Sequence, residues 1–142
     1  MNLFEQYKDQ FQVAFAIGDY LVTHAGVSSV WREKRIPNAK NTPESIASAI
    51  NELWLSGNYN AFDFNHNADR WDCYGESVQH GPMWIRWKTL CQWNTFKGTP
   101  YKQIVGHTVE PDFRYCPNKT EWNLICIDCM AYQPKSLILD IE

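Results

Sequence analysis

Phe11-Gln12-Val13-Ala14-Phe15-Ala16-Ile17, then Gly18-Asp19, then Tyr20-Leu21-Val22-Thr23, run without a break into His24-Ala25-Gly26. The first and third segments carry apolar side chains in the manner of strands. Gly-Asp between them is a turn pair that tolerates positive φ. The stretch predicts a β-hairpin whose second strand delivers a histidine next to a small residue and a glycine. Upstream, Leu3, Phe4 and Tyr7 stand at helical spacing, so Leu3 to Asp9 reads as the last turns of a helix.

Downstream the punctuation is clear at several points. Thr42-Pro43-Glu44 is a helix start, with threonine as N-cap, proline in the first turn and an acid near the positive end. Ile46, Ile50, Leu53 and Trp54 then form an apolar stripe that Gly57-Asn58 can end. From Tyr59 to Gly81 the chain is rich in Asn, Asp, Gly and aromatics without periodicity. It reads as a long irregular excursion, either a functional loop or a surface loop pinned by its rings. Met83-Trp84-Ile85-Arg86-Trp87-Lys88 leads into a short helix ending near Trp93. Gln103-Ile104-Val105 is a short strand that stops at Gly106-His107-Thr108, and Leu124 to Asp128 and Ser136 to Ile141 read as two closing strands. The expectation is a single α/β (α+β) domain over residues 1–142, with mixed or antiparallel strands and flanking helices.

Composition bounds the function. With 142 residues, 44% hydrophobic, 20% charged and 15% aromatic, the chain is neither a disordered tail nor a highly charged coiled coil. Thirteen basic against sixteen acidic residues give a net charge of −3, which disfavours a dedicated nucleic-acid binder. No apolar run approaches the roughly 18 residues of a spanning helix, and Met1-Asn2-Leu3-Phe4-Glu5 lacks the basic and apolar regions of a signal peptide. The expectation is no membrane association and a cytoplasmic location. Cys126 and Cys129 form a C-x-x-C, but no second pair exists to complete a zinc ribbon. Cys126 lies in an apolar alternating run that reads as a buried strand, so the cysteines read as buried reduced thiols, with metal binding or redox chemistry as the alternative.

Four histidines are present, His24, His66, His80 and His107. His24 and His107 stand apart because each follows an apolar strand and has glycine close by, which permits tight turning and close approach of a ligand. A strand-end imidazole in that setting suits a metal ligand or a general base. Arg86 offers a bidentate fork for phosphate, or else stacks between Trp84 and Trp87.

Taken in order, Thr23-His24-Ala25-Gly26, Pro82-Met83-Trp84-Ile85-Arg86, Val105-Gly106-His107-Thr108 and Ile125-Cys126-Ile127-Asp128 resemble the calcineurin-like metallophosphoesterases. The similarity is to the branch with serine/threonine protein phosphatases and dinucleoside-tetraphosphate hydrolases, and it runs over about residues 3 to 142. The resemblance implies half of a two-sheet sandwich, with His24 and His107 on one divalent metal (manganese, or iron or zinc) and Arg86 as the phosphate clamp. It implies a phosphorylated protein or a nucleotide as substrate. The family's Gly-Asp-x-His, Gly-Asp-x-x-Asp-Arg and Gly-Asn-His-Asp motifs, which should precede His24, are not in the sequence. The chain therefore looks like the C-terminal half of such a domain, inactive alone and completed by self-association or by an N-terminal-half partner. A non-catalytic remnant that keeps a binding surface is the alternative, and a sugar-binding module built on the rings between Tyr59 and Trp93 is a third reading. Gly18-Asp19-Tyr20-Leu21, Asn65-His66 and Asp69-Arg70 imitate the missing motifs but lack their glycines, their histidine or their order. The ligand assignment requires the His24 and His107 ring nitrogens to lie within about 5 Å, since each would reach one ion at about 2.0–2.1 Å.

Overall fold

The computed structural model describes residues 3–67 and 72–141. The hairpin forms as expected, β1 (Ala14–Ile17) antiparallel to β2 (Tyr20–Thr23), with Gly18 at φ +52° in the turn. They belong to a five-stranded mixed sheet with β3 (Lys102–Val105), β4 (Arg114–Cys116) and β5 (Leu124–Cys126), ordered β1-β2-β3-β5-β4. The three inner strands β2, β3 and β5 are parallel, and the two outer ones are antiparallel to their neighbours. All longer helices lie in the crossover between β2 and β3. After the N-terminal α1 (Leu3–Tyr7) come α2 (Ser29–Arg35), α3 (Pro43–Leu55), α4 (Phe64–Asn67) and α5 (Trp87–Trp93). The fold is α+β.

The long helix α3 is built from its signals. Thr42 accepts the Ser45 amide, Pro43 opens the helix, and Ile46, Ala47 and Ile50 are buried with Leu21 and Trp31 in one core cluster. Full burial of each isoleucine contributes about 1.5–3 kcal/mol. Asn51 on the same helix reaches the free edge of β1. Its carbonyl accepts the Val13 and Ala14 amides at 2.8 and 3.1 Å, and its amide donates to the Ala14 carbonyl. One side chain thus satisfies part of an edge that would otherwise invite another strand.

Register places Phe15, Val22, Ile104, Ile125 and Tyr115 in one row on the sheet face opposite Leu21. Ile104 and Ile125 in that row are buried, but Phe15 at the β1 end is 51% exposed.

The strand expected at Ser136 to Ile141 is absent. Leu137 and Leu139 are half-buried while Ile138 is exposed, so the side chains alternate as the sequence suggests. The segment ends over the hairpin turn, where a methyl on Gly18 would touch Ile141 at 3.5 Å. There Tyr20 is already paired with both Ile17 and Lys102, so no ladder edge is open to it. α2 was not anticipated, although Ser28 caps it by accepting the Trp31 amide at 3.0 Å.

Candidate functional site

Because β2, β3 and β5 are parallel neighbours, their carboxyl ends emerge side by side. His24 follows β2, Gly106-His107 follows β3, and Ile127-Asp128 follows β5. In open sheets with parallel strands this end collects ligands. The backbone ties the three loops together: the Gly106 amide donates to the His24 carbonyl and the Ile127 amide to the Val105 carbonyl, both at 2.8 Å.

The imidazoles meet across 83 positions of sequence. His24 Nε2 and His107 Nδ1 are 3.1 Å apart, with the rings edge to face at 66°. His107 sits at φ +66°, at the centre of a three-residue turn closed by the Thr108 amide on the Gly106 carbonyl at 2.8 Å. The positive-φ γ-turn is rare and strained, and strain of this kind collects at functional sites. His107 is held below the usual histidine range by burial first, then by the Arg86 and His24 charges, against the opposing pull of Asp128. Its imidazole is therefore neutral at pH 7, the form that ligates a metal or accepts a proton. Its Nε2 is buried and has no hydrogen-bond partner among the described residues.

Arg86 belongs to the same place. The Ala25 amide donates to the Pro82 carbonyl, and the Trp87 amide donates to Thr108 Oγ1 at 3.3 Å. Residues 82–88 therefore lie across both histidine loops, and Trp84 packs edge-on to the His107 ring at 5.8 Å. Arg86 is exposed at the start of α5. It is not stacked between the tryptophans: its Nε donates to the Tyr74 carbonyl at 3.0 Å, and the cation over Trp87 is Arg114, 5.6 Å from the ring centre. Among the described residues its terminal guanidinium nitrogens have no partner and remain able to bind an oxyanion.

A buried amide sets the loop after His24. Gln103 on β3 is fully buried; its Oε1 accepts the Val27 amide at 2.8 Å, and its Nε2 donates to the Val27 carbonyl at 3.0 Å and to Asn94. Gly26, at φ +113°, lies so close to Leu90 of α5 that a Cβ there would stand 2.2 Å from Leu90 Cδ2. The histidine loop and the helix bearing Arg86 are packed directly on one another.

The 3.1 Å approach of the two ring nitrogens is a hydrogen bond, and an ion held by both would replace it. With nitrogen–metal distances of about 2.05 Å, a 3.1 Å separation corresponds to a ligand angle of about 98°, between octahedral and tetrahedral values. Beside them is an open depression of about 270 Å³ bordered by Val22, Gly106, Ile127, Asp128 and Met130. Among the described residues no group of three or more His, Cys, Asp or Glu side chains is placed to hold a metal. The pair supplies two ligands and no carboxylate, so the others would have to come from elsewhere.

The remaining candidates fall away from this centre. The His66 side chain is exposed on α4, where its backbone amide bonds Asp63, and Asp69-Arg70 lies outside the described residues. Cys126 and Cys129 are buried, and their thiols point to the Thr108 and Gln133 carbonyls at 3.2 and 3.6 Å. Burial pushes the Cys126 thiol up, so it stays protonated. Of the rings between Tyr59 and Trp93, Phe64 stacks on His80 at 4.5 Å and meets Trp84 edge-on at 5.6 Å, while Tyr59, Tyr74, Trp84 and Trp93 are exposed.

Sequence reasoning passed over one cluster. His80 is fully buried and its Nε2 lies 2.9 Å from Asp72 Oδ2. The signal available was Asp72-Cys73-Tyr74-Gly75, an aspartate that can bond the amide two residues on, followed by a turn glycine.

No protein-family model, no curated protein and no solved structure matches the chain. No described helix is long and apolar enough to cross a membrane.

Proposed function

We propose that this chain supplies part of a metal-dependent phosphoesterase centre, of the calcineurin-like kind its motifs resemble. The observation that carries the reading is the 3.1 Å approach of His24 Nε2 to His107 Nδ1 at adjacent strand ends, with Arg86 over the same edge. His24 and His107 would hold a divalent ion, manganese by the resemblance and iron or zinc as alternatives. When bound, such an ion supplies Lewis-acid chemistry at a phosphoryl oxygen. Arg86 would grip the phosphate of a phosphorylated protein or a nucleotide through its terminal guanidinium nitrogens, unpartnered among the described residues, a fork suited to two oxygens at once. With His107 neutral, its Nδ1 would exchange the hydrogen bond with His24 Nε2 for the ion.

The other ligands, a bridging carboxylate and a general acid would come from a partner segment with the family's Asp, His and Asn motifs, or from a second copy of the chain. The exposed end of the sheet row at Phe15 supports such a cover. The five free cysteines, Cys126 and Cys129 among them buried, support a cytoplasmic setting. A second reading, a non-catalytic module that retains the phosphate-facing surface, is favoured by the lack of a third ligand among the described residues.

Hydrolysis of an aryl phosphate in manganese separates the two. The chain alone should give negligible turnover, because general acid–base assistance, worth about 10²–10⁴ in rate, and the metal-activated nucleophile are both lost. Supplying the partner segment, fused or in trans, should give turnover that His24→Ala or His107→Ala abolishes. Turnover that survives both substitutions would end the assignment. No turnover from any combination would favour the binding module.

A further inference from the structure

We infer that Asp72 is the positioning residue for Arg86, acting through the loop it closes. The Asp72 carboxylate gathers four donors. Oδ1 accepts the Tyr74 and Glu76 amides at 3.3 and 2.9 Å, and Oδ2 accepts the Ser77 amide at 2.7 Å and His80 Nε2 at 2.9 Å. Burial opposes its charge, but the Glu76 and Ser77 amides and His80 outweigh that and hold the carboxyl below its usual range. His80 is locked in turn, with its amide on the Ser77 carbonyl and its ring stacked on Phe64.

With the Tyr74, Glu76 and Ser77 amides turned to Asp72, the Tyr74, Gly75 and Glu76 carbonyls face the segment that carries Arg86. The Tyr74 carbonyl accepts Arg86 Nε at 3.0 Å, the Gly75 carbonyl accepts the Arg86 amide at 3.3 Å, and the Glu76 carbonyl accepts Thr89 Oγ1 at 2.9 Å. Three successive carbonyls thus meet one turn of α5. Gly75, at φ +78°, allows the approach, since a Cβ there would lie 3.1 Å from the Trp84 carbonyl and 3.5 Å from Arg86 Nε. An exposed arginine has many rotamers, and fixing one end of its guanidinium leaves the other end aimed for an oxyanion at lower ordering cost.

This inference rests on reading Arg86 as the phosphate contact, so the test has two arms on the full chain. The first is exchange of the Arg86 Nε–H proton measured by NMR without phosphate, with the Arg32 Nε–H, held by Thr95 at 3.0 Å, as control. Asp72→Ala should speed Arg86 exchange about tenfold or more and leave Arg32 unchanged. The second arm is the dissociation constant of inorganic phosphate at fixed manganese. Asp72→Ala should weaken it about tenfold, the loss of roughly one charge-assisted contact, and should have no effect in an Arg86→Ala background. Unchanged exchange, or an equal affinity loss with and without Arg86, would overturn the inference. If Asp72→Ala does not fold, Asp72→Asn keeps the oxygen that receives the Tyr74 and Glu76 amides and should show an intermediate effect; no effect there is equally contrary. If inorganic phosphate fails to bind the parent chain, the phosphate role of Arg86 falls, and the exchange arm decides the positioning alone.

Discussion

Gly26→Ala should damage the molecule at the point where the histidine loop meets the arginine helix. The added methyl would stand 2.2 Å from Leu90 Cδ2, 3.1 Å from Cδ1 and 3.2 Å from Cγ, against an ordinary contact of 3.4 Å or more. Leu90 is fully buried beside Ile85, Val105 and Leu124, so moving it aside disturbs that cluster. Overpacking of this kind costs about 1–3 kcal/mol, and forcing alanine to φ +113° adds about 1–3 kcal/mol. The sum, about 2–6 kcal/mol, is a large share of the roughly 7–20 kcal/mol expected for a chain of this size. Urea unfolding followed by circular dichroism would read it. The double variant Gly26→Ala/Leu90→Ala distinguishes the clash from the backbone strain, because truncating Leu90 removes the obstacle. It should be less destabilised than the sum of the singles by about 1–3 kcal/mol. Strict additivity, or a Gly26→Ala variant within about 0.5 kcal/mol of the parent, would refute the packing argument.

Gln103→Leu should cost about 2–4 kcal/mol in the same assay, because the Val27 amide and carbonyl and Asn94 lose buried partners that leucine cannot replace; a loss under about 1 kcal/mol would contradict that role. Stability should also fall as the pH drops below about 6.5, the ordinary histidine value. The native His107 is held below that value, so in this window the unfolded chain binds more protons, and the loss is complete once the native His107 itself titrates. Arg86→Ala removes one repulsive charge and should flatten the slope of urea midpoint against pH between 7.5 and 5; an unchanged or steeper slope would show that Arg86 does not act on His107.

The hairpin, α3, β3 and β5 were legible because each is written in a local apolar run or a cap, as with Thr42-Pro43 or the run Leu124-Ile125-Cys126. Ser136 to Ile141 shows the limit of that reading, since alternation records which side chains turn inward and not whether a neighbouring edge is open. β4, Arg114-Tyr115-Cys116, has no apolar run to mark it. For the site, sequence could place His24 and His107 at strand ends. Their approach depends on β2 and β3 being parallel neighbours, which the long crossover hides. The bearing of Arg86 was less legible still. Stacking on the adjacent tryptophans is a local expectation, whereas its actual partner, the Tyr74 carbonyl, is presented by a loop that Asp72 folds from within the irregular excursion.

The central claim is that two strand-end imidazoles form one half of a metal site. Nitrogen-15 NMR of the histidine rings during a zinc titration tests it atom by atom, with manganese broadening as a second probe. The account expects large shifts at His24 Nε2 and His107 Nδ1 together, saturating at one ion per pair, with His66 and His80 unaffected. Shifts confined to His66, or at His24 and His107 independently and at different zinc concentrations, would contradict it.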